Sequence, residues 1–243
     1  MAAVEAFEHA GATLIAERRG AGDPVFVLVH GIGMGRSVFA ELADHLYDGE
    51  VIALDLPGYG EAPEPPRVLT MERSADLVAQ FLRGRVGRPA VLIGHSMGAQ
   101  VVVEIAARHP EVVDRVVLIG PTVDPSARTA LRQLWRLLRD IAVESPRVIA
   151  VGAREYLRAG PRMRAKLRAM LVHRIERTLP RVAAPALVLR GEDDIVAPPE
   201  WCRSVVAALP DGRLVEVPDH GHETMIRDAA ASAREILRFV HDG

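Results

Sequence analysis

Ser96 lies within Gly94-His95-Ser96-Met97-Gly98, directly after the apolar run Val91-Leu92-Ile93 and just before residues 99–108, which continue at helical spacing. That context puts the serine on a strand-to-helix turn. A serine hydroxyl is a weak nucleophile at its own pKa. A sharp turn that lifts it clear of the backbone, at the positive end of the following helix, lets a neighbouring base activate it. Gly94 and Gly98 have a steric reason to be there, because strand and helix must pass close to one another around the turn. The chemistry such an arrangement suits is nucleophilic attack through a covalent intermediate.

A second glycine-rich turn, His30-Gly31-Ile32-Gly33-Met34-Gly35, ends the apolar run 24–30. It is no phosphate cradle: no Gly-Lys-Ser/Thr follows, and the six-residue dinucleotide glycine pattern is missing. It reads instead as a loop whose backbone amide faces a developing oxyanion. Asp55, ahead of Pro57-Gly58-Tyr59-Gly60, reads as a turn former rather than a catalytic acid.

Elements of two kinds must position these turns. Apolar or β-leaning runs at 12–18, 24–30, 50–56, 91–93 ahead of the Ser96 turn, 113–120, 185–190 and 213–217 read as strands. Helical patterns lie between them. One runs from a Ser37 cap to about 45, with Phe39, Leu42 and Leu46 on one face. Others cover 70–83 with Thr70 as cap, 99–108 stopped by Pro110, 198–209, and 228–240 with Asp228 as N-cap. Strand alternating with helix predicts a mostly parallel sheet with helices on both faces.

Alternation breaks over 125–180, where three helical segments follow one another at about 125–144, 147–158 and 161–179. Leu131, Leu134, Trp135, Leu138 and Ile141 make one apolar stripe, and Met163, Leu167, Leu171 and Ile175 another. Inserted between two strands of one sheet, these helices are expected over its carboxyl edge, where open α/β sheets bind ligands. The predicted organisation is a core domain of residues 1–124 and 181–243, with a helical lid at 125–180. The stripes serve either packing on the core or substrate contact. Leu131, Trp135 and Leu138, with Gly31 and His95 beside the serine, are the candidate substrate-contacting residues.

Bulk composition narrows the function. At 243 residues and 49% hydrophobic, the chain can bury a large core. A single cysteine, Cys202, permits no internal disulfide and offers no zinc spacing, which fits a reducing compartment. Residues 1–11 lack the basic start and apolar centre of a signal peptide, and no apolar run reaches membrane-spanning length, so a cytoplasmic protein is expected. A net charge of −2 gives no argument for nucleic acid. Residues 125–180 nonetheless carry 13 Arg and Lys against 4 Asp and Glu, and Lys166 is the only lysine beside 29 arginines. The arginine preference reads as a compositional bias, and the basic faces as solvated helix surfaces rather than membrane or nucleic-acid sites.

With these motifs in register, the chain resembles the α/β-hydrolase family over nearly its full length. The likeness rests on His30-Gly31, Asp55-Leu56-Pro57-Gly58-Tyr59-Gly60, Gly94-His95-Ser96-Met97-Gly98, Gly191-Glu192-Asp193-Asp194 and Gly221-His222. It implies a mostly parallel, predominantly eight-stranded sheet with helices on both faces and a helical lid after the sixth strand. It also implies Ser96 as nucleophile, His222 as base and Asp194 as acid, in the chain order serine, acid, histidine. Asp193 competes with Asp194 for the acid, Asp124 is a third position, and His220 competes with His222. The backbone N–H groups of Ile32 and Met97 are the implied oxyanion donors. No cofactor or metal is expected, and His9, His45, His109, His173 and His241 stand alone in the sequence.

The implied activity is hydrolysis of a carboxylic ester, thioester or lactone through an acyl-enzyme. Relatives with aspartate at the turn form alkyl-enzymes that water can cleave as esters; serine there would give an ether, a dead end. Carbon–carbon bond hydrolysis and perhydrolysis share the same motifs and stay open, as does a receptor-like binder with little turnover. The expected partner is a small acyl substrate. With only 2 Trp, 3 Tyr and 5 Phe, an aromatic-walled pocket is disfavoured, and the arginine-rich lid would suit an acyl group with an anionic end.

Overall fold

The computed structural model describes residues 2–46, 48–127, 162–226 and 229–242. Eight strands form one sheet: β1 (Ala3–His9), β2 (Ala12–Arg19), β3 (Val25–Val29), β4 (Glu50–Asp55), β5 (Ala90–His95), β6 (Val113–Ile119), β7 (Ala186–Gly191) and β8 (Gly212–Val217). Their order is β1-β2-β4-β3-β5-β6-β7-β8. β1 and β2 are antiparallel to their neighbours, and the remaining strands run parallel. The fold is therefore the mostly parallel eight-stranded α/β-hydrolase sheet expected from the sequence.

The central strands read as unbroken apolar runs because both of their faces are covered. Alternate residues of β3 divide between two clusters: Val25, Val27 and Val29 face one, Phe26 and Leu28 the other. The first cluster is closed by α2 (Met71–Phe81), α3 (Met97–Arg108) and α6 (Pro199–Ala208), through Phe81, Val102 and Val205. The second is closed by α1 (Ala40–His45) and α7 (Ala229–His241), through Leu42, Ile236 and Phe239. The helix after β3 thus lies on one face and the helix after β5 on the other. The carboxyl ends of these neighbouring strands open a crevice between them.

Several local expectations need correction. β1 was not assigned from the sequence; it forms a hairpin with β2 through Ala10 and Gly11, both at positive φ (51° and 74°). Ser37 does not start a single helix. A 3-10 turn at Arg36–Phe39 comes first, behind an extended Gly35 that makes no side-chain cap, and α1 begins at Ala40. Thr70 does cap α2, accepting the Arg73 N–H at 3.3 Å. The helix expected at 161–179 is broken in two, α4 (Met163–Val172) and α5 (Ile175–Thr178), because His173 turns extended (ψ 141°) and bonds Glu104 on α3. The stretch 125–180 does lie between β6 and β7, but the first two expected lid helices fall largely outside the described residues, as does Asp228.

Candidate active site

Ser96 sits between the last residue of β5 and the first of α3 at φ 54°, ψ −113°, a conformation that a non-glycine residue holds only when its surroundings enforce it. The enforcement is visible. The Ser96 N–H donates to Ile119 O of β6 at 2.9 Å. A Cβ on Gly98 would lie 2.1 Å from Val29 O, and one on Gly94 would lie 2.5 Å from Gly98 O. Both glycines are thus required by close backbone approach, as their positions in the sequence imply.

The loop after β3 lies against this turn, since a Cβ on Gly31 would meet Ser96 Cβ at 3.2 Å. Its shape is set by His30. The Leu56 N–H donates to His30 Nε2 at 3.1 Å, so Nδ1 carries the ring proton and donates to Gly31 O at 2.7 Å. Holding the Gly31 carbonyl in this way turns the N–H of the same peptide, that of Ile32, to the opposite side. Met97, as the first residue of α3, has a backbone N–H with no acceptor inside the helix.

The loops after β7 and β8 bring Asp194 and His222 together. His222 Nδ1 lies 2.9 Å from Asp194 Oδ2, and the residues are 3% and 2% exposed. Asp194 Oδ1 accepts the N–H groups of Val196 and Ala197, both at 2.8 Å, so each carboxylate oxygen has a partner. Asp193 is exposed, and its N–H donates to His220 O. His220 is half-buried, with Nδ1 bonded to Pro218 O, and takes no place beside Asp194. Asp124 binds the Ser126 N–H and hydroxyl, capping the 3-10 turn that begins the 125–180 stretch.

His95 is fully buried, and its Nε2 donates to the His222 carbonyl at 3.2 Å, with the two rings 4.8 Å apart. Burial, reinforced by the neighbouring His222 ring, pushes its pKa well down and keeps the imidazole neutral. It supports the His222 backbone rather than titrating. Asp55 is likewise structural: buried, it pairs with Arg36 and accepts the N–H groups of Arg36 and Glu61.

Three further residues gain roles that sequence reasoning missed. Thr122 places Oγ1 3.4 Å from Ser96 Oγ. Gly120, at φ 51°, leaves room for the histidine: a Cβ there would be 2.8 Å from the His222 ring and 3.0 Å from Asp194 Oδ2. Arg190, 3% exposed on β7, ties the acid loop together by donating to Glu192 O, Asp194 O and Ala197 O while pairing with Glu216 at 2.6 Å. The only available signal was an arginine inside an apolar strand pattern.

Leu131, Trp135 and Leu138 lie outside the described residues. His173, isolated in the sequence, joins Glu104 at 2.9 Å, and with Glu72 the trio's ligand atoms fall within 4.8 Å of one another, between α2, α3 and the end of α4. Among the described residues no helix is long and apolar enough to cross a membrane.

The family model described as the alpha/beta hydrolase family matches residues 26–235, most of the chain. The chain belongs to the alpha/beta hydrolase family. A pimeloyl-acyl-carrier-protein methyl ester esterase of Chromobacterium violaceum is 30% identical over 255 residues, covering 93% of this chain and 98% of its own. A thermophilic esterase of Thermogutta terrifontis superposes with TM-score 0.83 at 24% identity, covering 100% of this chain and 98% of its own. A hydrolase of Pseudomonas aeruginosa PA01 superposes with TM-score 0.84 at 22% identity, over 98% of each chain. The two structures share the fold of this chain.

Proposed function

We propose that this alpha/beta hydrolase is a serine hydrolase that cleaves a carboxylic ester or related acyl substrate through an acyl-enzyme, without cofactor. The observation that carries the reading is the strained Ser96 turn standing on the same sheet edge as the buried Asp194–His222 pair. Serine at that turn favours acyl over alkyl transfer, and the methyl ester esterase of Chromobacterium violaceum, at 30% identity, is consistent with an ester bond.

In this reading His222 Nε2 takes the Ser96 proton as the Ser96 oxygen attacks the acyl carbon. Asp194 holds the imidazole with its proton on Nδ1 and stabilises the imidazolium that forms. The Ile32 and Met97 N–H groups stabilise the oxyanion. His222 then returns the proton to the leaving alcohol, and water releases the acyl group by the same steps. The 125–180 insertion is the lid that selects the acyl chain. A small soluble acyl compound in the cytoplasm is the substrate class.

A fluorophosphonate probe and a panel of p-nitrophenyl esters, lactones and acyl thioesters test this. Wild type should be labelled on Ser96 and turn over at least one acyl class, and Ser96→Ala should lose both. Folded wild type that neither labels nor turns over any of them would refute it.

A further inference from the structure

Lysine occurs once in this chain, at Lys166, beside 29 arginines. On α4, Arg164 and Arg168 are exposed, as is Arg162 just before it, whereas Lys166 is 2% exposed. A long cation is buried only where its charge is met. Here Nζ donates to Gly58 O and to Glu64 Oε2 (2.9 Å), and it stands 4.5 Å from the centroid of the Tyr59 ring. The seat is crowded: a Cβ on Gly58 would come within 3.0 Å of Nζ and 2.8 Å of Glu64 Oε2. A compact ammonium fits there, while a planar guanidinium would displace the loop.

The contact continues to the reacting centre. Tyr59 is buried, and its hydroxyl lies 3.5 Å from Met97 Sδ. Burial and the Glu64 charge push the phenol pKa up, so the hydroxyl keeps the proton it donates to sulfur. Met97 directly follows Ser96, and its backbone N–H is one of the two oxyanion donors of the proposed mechanism. The His30 ring, which orients the other donor's peptide, packs in a T-shaped contact with the same Tyr59 at 5.0 Å between ring centroids.

We infer that Lys166 is a positioning residue: seated on Gly58, Glu64 and the face of Tyr59, it fixes the tyrosine that braces Met97. The helix returning from the 125–180 insertion is thereby coupled to the oxyanion donors. The inference rests on the hydrolase reading, because it acts through Met97. An oxyanion site tolerates little displacement, and a shift of about 1 Å can cost a hundredfold in rate.

Lys166→Met, Lys166→Arg and Tyr59→Phe should be compared with wild type for kcat and KM on p-nitrophenyl acetate, for the rate of fluorophosphonate labelling, and for thermal melting. The expected result is a roughly tenfold loss of kcat in all three folded variants with KM within about twofold. Labelling should slow in parallel, because the phosphonyl oxygen occupies the same site as the oxyanion. Wild-type kcat in folded Lys166→Arg and Lys166→Met overturns the role of Lys166. Wild-type kcat in Tyr59→Phe beside crippled lysine variants overturns the route through Met97. A rise in KM at unchanged kcat makes Lys166 a binding residue and overturns positioning. If Lys166→Met does not fold, Lys166→Arg and Tyr59→Phe decide. Wild type without Ser96-dependent labelling overturns the hydrolase reading itself, and this inference with it.

Discussion

His222 Nδ1 lies 2.9 Å from Asp194 Oδ2, in a pair whose members are separated by 28 residues and buried together. A carboxylate can only accept, so it forces the ring proton onto Nδ1 and leaves Nε2 open to take a proton. An amide in its place can donate and impose the other tautomer. Asp194→Asn should therefore lower kcat by about 10⁴-fold with the fold retained. Asp193→Asn, on an exposed carboxylate, should stay within about twofold of wild type. Steady-state kinetics on p-nitrophenyl acetate, with circular dichroism as the fold control, separates the two; equal losses would remove Asp194 from its assigned place.

Gly120 gives a second expectation. An alanine methyl there would strike the His222 ring at 2.8 Å and must also adopt φ 51°. Gly11 has a comparable positive φ of 74° but nothing within 4 Å of a Cβ. Gly11→Ala should cost only the backbone strain, about 1–2 kcal/mol, and leave kcat unchanged. Gly120→Ala should lose activity by about 10²-fold, because the histidine must move. Paired melting curves and kcat values check this, and a Gly120→Ala enzyme with normal kcat would show that the ring has slack.

The contrast between these glycines and Ser96 shows what could be read in the sequence. The Ser96 turn was legible because its causes are local: an apolar run before it, helical spacing after it, and glycines two residues to either side. Most strands were legible because burial on both faces leaves continuous apolar runs. β1 was not, since its residues are mostly exposed, Val4 among them at 56%, and it is held by pairing with β2 and the Ala10-Gly11 turn. Gly120 and Thr122 were hidden for another reason: their partners come from other strands' loops. Lys166 was misleading, because an amphipathic pattern counts every lysine as outward-facing and here the lysine faces inward.

His95 leads to a prediction about acid. Its buried ring titrates well below the ordinary histidine value of about 6.5, chiefly because burial disfavours the charged form. Above pH 6.5 the ring is neutral in both folded and unfolded chains, so it contributes no pH dependence there. Below 6.5 the unfolded chain binds a proton that the folded chain refuses, so stability falls as pH drops, by up to about 1.4 kcal/mol per pH unit. His95→Gln keeps an N–H that can reach the His222 carbonyl and cannot titrate. Urea unfolding at pH 7.5, 6.5 and 5.5 should show a shallower acid slope in that variant; superimposable slopes would contradict the assignment.

Glu104 behaves in the opposite sense. Burial raises its pKa, but hydrogen bonds from His173 Nε2 (2.9 Å) and Thr178 Oγ1 (2.7 Å) outweigh that and hold the carboxyl below its ordinary value of 4.5. Arg108 adds to the lowering, and Glu72 also faces the pair. A depressed carboxyl contributes stability that is fully present above pH 4.5 and is lost as pH falls toward the folded value. Both donors belong to the chain that returns after α4, so this stability ties that segment to α3. Glu104→Gln keeps the shape and one acceptor oxygen but loses the charge, and it should cost about 1–3 kcal/mol at pH 7. The variant should also lose part of the wild type's acid dependence below pH 4.5. Hydrogen exchange should show the added opening concentrated in residues 162–181 rather than in β5 or β6. Uniform loss of protection across the sheet would mean that the Glu104 contacts stabilise the whole domain and do not specifically anchor that segment.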